Sequence, residues 1–225
     1  MTLVMRITRL GHAAVLIEGS KTVLIDPYIT DNPAAARKIT EIPKIDYILI
    51  THDHFDHFGL DAIEIAKRDG STLFAVHEVT VREDVAQSGI KAVGANVGGT
   101  YGEDGIEFGI TPAVHSTGSG IASGFVIKLD GMKIYQSGDT SVFSDMKLIP
   151  KLWGDIDVAL LPIGGHYTMD EMAAALAVEY IKPAVTIPIH YDTWPPIKAD
   201  PVLFTKHAGS HTKVHVLSPG ETYDC

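Results

Sequence analysis

The sequence predicts an α/β protein built as a four-layer αββα sandwich, and three observations carry that prediction. Strand-like runs open each half of the chain, strand–helix pairs follow them, and several of the later strands are apolar at nearly every position. Two sheets packed face to face, with helices on the outer faces, satisfy this order. Length and composition agree. A chain of 225 residues, 45% hydrophobic and 20% charged, reads as a single domain over residues 1–225 with a core that needs no disulfide.

The elements follow in order. "MRITRL", "AAVLIEG" and "KTVLIDP" are short, β-branched and punctuated by turn residues, so they read as three strands. "IDYILIT" (45–51) reads as a buried strand, and "GLDAIEIAKRDG" as an amphipathic helix with Leu60, Ile63 and Ala66 on one face and Gly70 at its end. "TLFAVH" is a strand and "EVTVREDVAQSG" a helix. "GIEFGITPAVHS", "GFVIKLDG" and "MKIYQSGD" are strands, the last two joined as a hairpin by "LDGMKI". Helix and strand then alternate: "VFSDMKLIPKLW", "DVALLPIGG", "MDEMAAALAVEYI", "AVTIPIH", "DPVLFTKHAG" with Pro201 at its start, and a last strand "KVHVLSPG". Met169, Met172, Ala173, Leu176 and Tyr180 fall at helical spacing and read as core.

Charge and cysteine usage narrow the function classes. With 28 acidic against 18 basic residues the net charge is −10, which disfavours contact with nucleic-acid phosphates. Cys225 is the single cysteine, so an intrachain disulfide is excluded and a thiolate metal site is unexpected. No run approaches the roughly 18 apolar residues of a membrane span, and the N-terminal stretch lacks a signal-peptide pattern. The expectation is a soluble, cytoplasmic protein acting on a small molecule without nucleic-acid or membrane partners, homo-oligomerisation being left open.

One stretch is out of proportion. "THDHFDH" (51–57) places His52, His54, Asp56 and His57 directly after a buried strand. Packed together without a cation, such groups repel one another or stay unpaired. Further candidates also sit at strand ends: His115 in "PAVHS", Asp139 in "SGDT" and His190 in "TIPIH". Strand ends can meet at one edge of a layered α/β fold. Five histidines and two aspartates exceed one tetrahedral ion and suit two adjacent divalent ions, zinc first, with manganese or iron as alternatives. Two ions about 3.5–4 Å apart ionise a shared water near neutral pH. His77, His207, His211 and His215 read as ordinary lone histidines.

The run His52-Asp53-His54-Phe55-Asp56-His57 is an HxHxDH motif. With a later histidine, a Gly-Asp and a last histidine in the right order, the whole chain resembles the metallo-β-lactamase superfamily. The resemblance implies the αββα fold, His52, His54 and His115 on one metal, Asp56, His57 and His190 on the other, Asp139 bridging, and Asp26 of "VLIDP" in support. "RLGHAAVLIE", "HEVTV", "GDTSVFSDMKLI", "LLPIGGHYTM" and "IPIHYDTWP" together resemble a subgroup of small bacterial and archaeal metal-dependent hydrolases. Those are similar to ascorbate-6-phosphate lactonases and, more distantly, to the phospholipase D acting on N-acyl phosphatidylethanolamine. Histidine at position 54 departs from the HxExD pattern of the redox di-iron branch. The chain also lacks the length for a flavin or nucleic-acid clamp domain.

The remaining candidates are polar groups near the expected site. His166 in "PIGGHYTMD" is a candidate general acid or oxyanion donor, Asp56 joins it as a candidate catalytic group, and His12 in "LGHAAV" could line the site. Asn96 in "ANVGGT" could present backbone amides to an anion, although a plain turn explains it better; Tyr191, Thr193 and Trp194 could form a pocket wall. The reading is a dinuclear hydrolase cleaving an ester-like bond, a lactone or phosphodiester, in a small anionic metabolite. Its rivals are a metal-containing sensing or partner-binding module and, further off, a nuclease.

Overall fold

The strands expected from β-branched runs fall into two sheets of seven. The computed structural model describes residues 4–225. In chain order the first sheet takes β1 (Arg6–Gly11), β2 (Ala14–Glu18), β3 (Thr22–Ile25), β4 (Tyr47–Ile50), β5 (Thr72–Val76) and β6 (Lys91–Ala95). The second takes β7 (Thr100–Glu103), β8 (Ile106–Pro112), β9 (Ser123–Leu129), β10 (Met132–Gln136), β11 (Val158–Pro162), β12 (Val185–Ile189) and β13 (Lys213–Val214), and β14 (Thr222–Asp224) returns to pair with β1. Each sheet is antiparallel where hairpins build it and parallel where helices cross over. The helices are α1 (Leu60–Asp69), α2 (His77–Thr80), α3 (Glu83–Ala86), α4 (Ile149–Trp153), α5 (Glu171–Ile181) and α6 (Pro201–Ala208).

The two sheets face each other through aromatic side chains. Phe74 of β5 lies 5.7 Å from Phe108 of β8 and 5.9 Å from Phe125 of β9, ring centre to ring centre. α1 buries Ala62, Ile63, Ile65 and Ala66 beside the first sheet, and α5 and α6 cover the second over Tyr135, Leu161, Val178 and Phe204. The expected αββα layering is therefore the observed one. The β9–β10 hairpin turns through Asp130 (φ 51°) and Gly131 (φ 84°), two successive left-handed residues suited to a two-residue hairpin loop.

Several expectations need correction. The helix expected after His77 is two four-residue helices, because Arg82 between them is extended (ψ 146°) and its guanidinium is drawn to Asp53 and Asp84. The strand expected to reach His115 stops at Pro112, the last residue paired with β9, leaving His115 in an irregular segment. Residues 144–153 start as a 3-10 turn before α4, the strand expected over 213–220 shrinks to Lys213–Val214, and the last strand is the unexpected β14. Leu60 is 72% exposed in the first turn of α1. On α5 the buried face is Ala174, Ala175, Ala177, Val178 and Ile181, whereas Met172 is 55% exposed; small residues allow a close approach to the sheet. No helix of the described residues is long and apolar enough to cross a membrane.

Candidate metal centre

Six chain segments deliver the site, five of them where a strand stops and the sixth the irregular stretch after β8 that carries His115. β4 runs into the loop 51–57; β3 ends at Asp26; β1 and β2 are joined at His12; β10 leads to Asp139; β12 leads to His190. At three of these ends a non-glycine residue adopts the left-handed region: His12 (φ 55°), Asp26 (φ 44°) and His190 (φ 55°). That conformation costs on the order of 1–3 kcal/mol per residue and is held by the surrounding structure. Gly138 makes the corresponding turn before Asp139 at φ 63°, where a Cβ would sit 2.2 Å from the Ser123 carbonyl oxygen.

Hydrogen bonds fix which ring nitrogens are bare. Asp26, fully buried, accepts from the Thr51 amide at 2.8 Å, from Thr51 Oγ1 at 2.7 Å and from His57 Nδ1 at 2.9 Å. The Thr51 hydroxyl proton is thus spent on Asp26, so Thr51 Oγ1 accepts from His52 Nδ1 at 3.0 Å. Both His52 and His57 carry a proton on Nδ1 and turn Nε2 toward the cluster. Carboxylate or hydroxyl partners behind metal-ligating imidazoles are the usual way such rings are oriented.

The ligand atoms converge in two groups with one carboxylate between them. His52 Nε2 lies 3.0 Å from His54 Nδ1, and His115 Nε2 lies 3.3 Å from the same nitrogen. Asp56, His57 and His190, joined by His12, form the second group, each residue offering an atom within 4.8 Å of the others. Asp139 Oδ2 stands 3.0 Å from His190 Nε2, 3.3 Å from His57 Nε2 and 3.7 Å from His115 Nε2, so it touches both groups. His57 Nε2 and both ring nitrogens of His190 are buried with no hydrogen-bond partner. Buried polar atoms so rarely stay unpaired that a ligand is indicated, and imidazole nitrogens around a carboxylate are a divalent-cation donor set. The residues present therefore fit the metal ions expected from the sequence.

Electrostatics agree. Burial pushes His52 down to about 2 and also lowers His115, keeping these rings neutral and their lone pairs available. Burial works against the charged forms of His57 and Asp139, yet the charges around them prevail. Asp139 and Asp26 hold His57 well above its ordinary value, and His190 and His57 hold Asp139 well below its own. A site that favours positive charge on a buried imidazole this strongly is one that favours a cation in its place.

The other predicted residues divide clearly. His12 is buried; its Nε2 donates to Asp56 Oδ2 at 3.1 Å while Thr193 Oγ1 donates to its Nδ1 at 2.8 Å. With both nitrogens engaged, His12 orients Asp56. Burial pushes its pKa down to about 4, so the ring is neutral. Trp194 lines the cavity beside the cluster, its ring 4.9 Å from that of His12. Tyr191 faces the core, under the Arg9 guanidinium at 4.2 Å. Asn96 is an exposed turn residue whose Oδ1 accepts from the Val97 amide, and it is not brought to the cluster. His166 is exposed with its ring 4.4 Å from that of Tyr167, and it is Tyr167 that lines the cavity.

Sequence reasoning missed two features. Asp53, inside the motif, faces away from the ligands: it accepts from Arg82 at 2.6 Å and from Thr117 Oγ1 and the Gly118 amide at 2.7 Å each, tying down the segment that carries His115. The cavity, about 560 Å³, takes much of its wall from Phe55, Tyr167, Trp194, Pro196 and Ile197. An aromatic residue set between two ligands in the motif was the available signal for Phe55.

The family described as Beta-lactamase superfamily domain matches residues 21–191, which span the candidate ligands from His52 to His190 and Asp26 behind them. The chain belongs to the metallo-β-lactamase superfamily. Within it the chain is similar to a UPF0173 metal-dependent hydrolase of Pyrococcus abyssi, 51% identical over 217 residues and covering 94% of this chain and 96% of the relative. Among solved structures it is similar to a metallo hydrolase of Ignicoccus hospitalis, with a TM-score of 0.91, 41% identity and coverage of 99% and 98% of the two chains. A protein of Parabacteroides distasonis, 24% identical with a TM-score of 0.77 and coverage of 95% and 93%, shares the fold. The chain thus falls among the metal-dependent hydrolases of the metallo-β-lactamase superfamily.

Proposed function

We infer that the chain is a dinuclear hydrolase that cleaves an ester-like bond, a lactone or a phosphodiester, in a small molecule. The observation that carries this reading is Asp139 standing between two histidine groups, beside the buried and unpartnered Nε2 atoms of His57 and His190. His52, His54 and His115 would hold one ion, Asp56, His57 and His190 the other, and Asp139 would be shared; zinc is the first expectation. When bound, such ions lower the pKa of a coordinated water from 15.7 to about 7 and polarise the substrate oxygen.

The chain's own residues do the rest. Asp26 and Thr51 hold the His57 and His52 rings in the tautomers that turn Nε2 inward. Asp56 lines the cavity and is steadied by His12, placing a carboxylate where the attacking water gives up its proton. In the balanced reaction, water oxygen bonds to the acyl carbon or phosphorus, the ester bond breaks, and the alkoxide receives the proton relayed through Asp56. His166 lies outside the cavity wall, so protonation of the leaving group is assigned to Asp56 rather than to it. The anionic metabolite expected from the sequence finds no lysine or arginine among the described residues lining the cavity.

The test pairs metal analysis with turnover. We expect two equivalents of a divalent metal per chain. Hydrolysis within a panel of lactones and bis(p-nitrophenyl) phosphate should disappear on chelation and return with the metal. Full turnover by metal-free protein would overturn the reading. The cytoplasm is the proposed location, and a homo-oligomer is compatible with it.

A further inference from the structure

We propose that the non-reacting part of the substrate is an uncharged, apolar group seated against Phe55 and Trp194, so that the natural bond is a carboxylic ester or lactone; this rests on the hydrolase reading above. The first observation is the chemistry of the wall. Apart from the candidate metal ligands, the cavity is lined by three aromatic residues (Phe55, Tyr167, Trp194), by Pro196 and Ile197, and by the single small hydroxyl of Ser116. Sites that recognise phosphate or carboxylate place guanidinium, ammonium or clustered amide donors on the anion. The lysine near Trp194, Lys198, instead belongs to a separate shallow depression that it shares with Asp192.

The second observation is where the apolar surface lies. Phe55 is 70% exposed and Tyr167 58% exposed. The Phe55 ring sits 5.9 Å from that of Trp194 and 6.0 Å from that of Tyr28, and the latter two are 6.2 Å apart. Tyr28 thus stands behind the two lining rings Phe55 and Trp194, and Phe55 lies in sequence between His54 and Asp56. A flat or aliphatic group covering these rings gains burial while its ester bond lies beside the ligand cluster.

The experiment separates this inference from the reaction itself. Binding of non-hydrolysable neutral N-alkyl benzamides, from methyl to pentyl, is measured by isothermal titration on metal-loaded and on chelated protein. Affinity is expected to rise about threefold to fourfold per methylene in both forms. In Trp194→Ala and Phe55→Ala the gradient should fall below about twofold, metal content and melting temperature being checked on the same samples. Chain-length-independent binding, or tenfold tighter binding of a carboxylate- or phosphate-bearing analogue than of its neutral isostere, overturns the proposal. Turnover of bis(p-nitrophenyl) phosphate without turnover of any ester or lactone overturns the assignment of the bond; a gradient with no turnover of ester, lactone or phosphodiester leaves the apolar subsite standing and fails the hydrolase reading. Turnover without a gradient leaves the hydrolase reading standing and removes the subsite.

Discussion

The two halves of the ligand cluster are built from different chemistry. His52, His54 and His115 meet as three imidazoles, and their support is indirect: a hydroxyl behind His52, and the Asp53–Arg82 pair holding the segment of His115. Asp56, His57 and His190 include a carboxylate, and a buried carboxylate stands directly behind His57. The first half depends on neutral rings and loop placement, the second on buried charge. Asp139 is common to both, and this makes the two halves separable by substitution.

The largest effect is expected at that shared residue. Asp139→Asn should lose both metal equivalents and reduce hydrolysis to background, read by metal analysis and initial rates. One equivalent retained at native affinity would show that the halves do not share it. Next comes Asp26→Asn. It should weaken one ion by about 10–100-fold in chelator competition, with a smaller loss for the ion on His52, which feels Asp26 only through Thr51.

In chelated protein the histidines set the third effect. Burial holds His12 at about 4 and His52 at about 2, below their unfolded value of about 6.5. As pH falls below about 6.5 the unfolded chain gains protons that the folded chain does not. Stability should therefore drop by up to about 1.4 kcal/mol per pH unit for each group. His57, held high, opposes this drop between about pH 7 and 5.5 while its unfolded counterpart takes up a proton, and Asp139, held low, adds slope only below about pH 5, so the net loss is clearest between about pH 6 and 5. Urea titrations at pH 7, 6 and 5 check it, a flat midpoint being the contrary result. The smallest effect is expected from Arg82→Ala, which should loosen the His115 segment and weaken the three-imidazole half by about tenfold or less, leaving the other half unchanged.

Much of this architecture was legible because its signals are local. β4 and β12 are continuous apolar runs, and a ligand stands at or just beyond the end of each; the Asp-Gly turn marks the β9–β10 hairpin. The motif brought His52, His54, Asp56 and His57 together on the page as it does in space. What stayed hidden depends on distance along the chain. The Asp53–Arg82 pair joins residues 29 apart, and nothing at either position announces the other. β6, β7 and β14 are short and partly exposed, without the apolar alternation that would mark them. Around α5 the periodicity was visible, but the expected stripe is core only in part: Met169 is buried and Ala173 and Tyr180 pack against the core, while Met172 and Leu176 are exposed. Alanines set the depth of packing, and the bulkier methionine and leucine turn outward.

The left-handed backbone at His12, Asp26 and His190 has an evolutionary corollary. Glycine would relax each of these positions, and relief of an unfavourable main-chain angle is a common route to a more heat-resistant protein. A library of metal-free protein selected for thermal endurance alone should therefore drift toward glycine or asparagine at position 190, where both ring nitrogens lack partners, whereas the buried bonds of His12 and Asp26 hold those two residues in place.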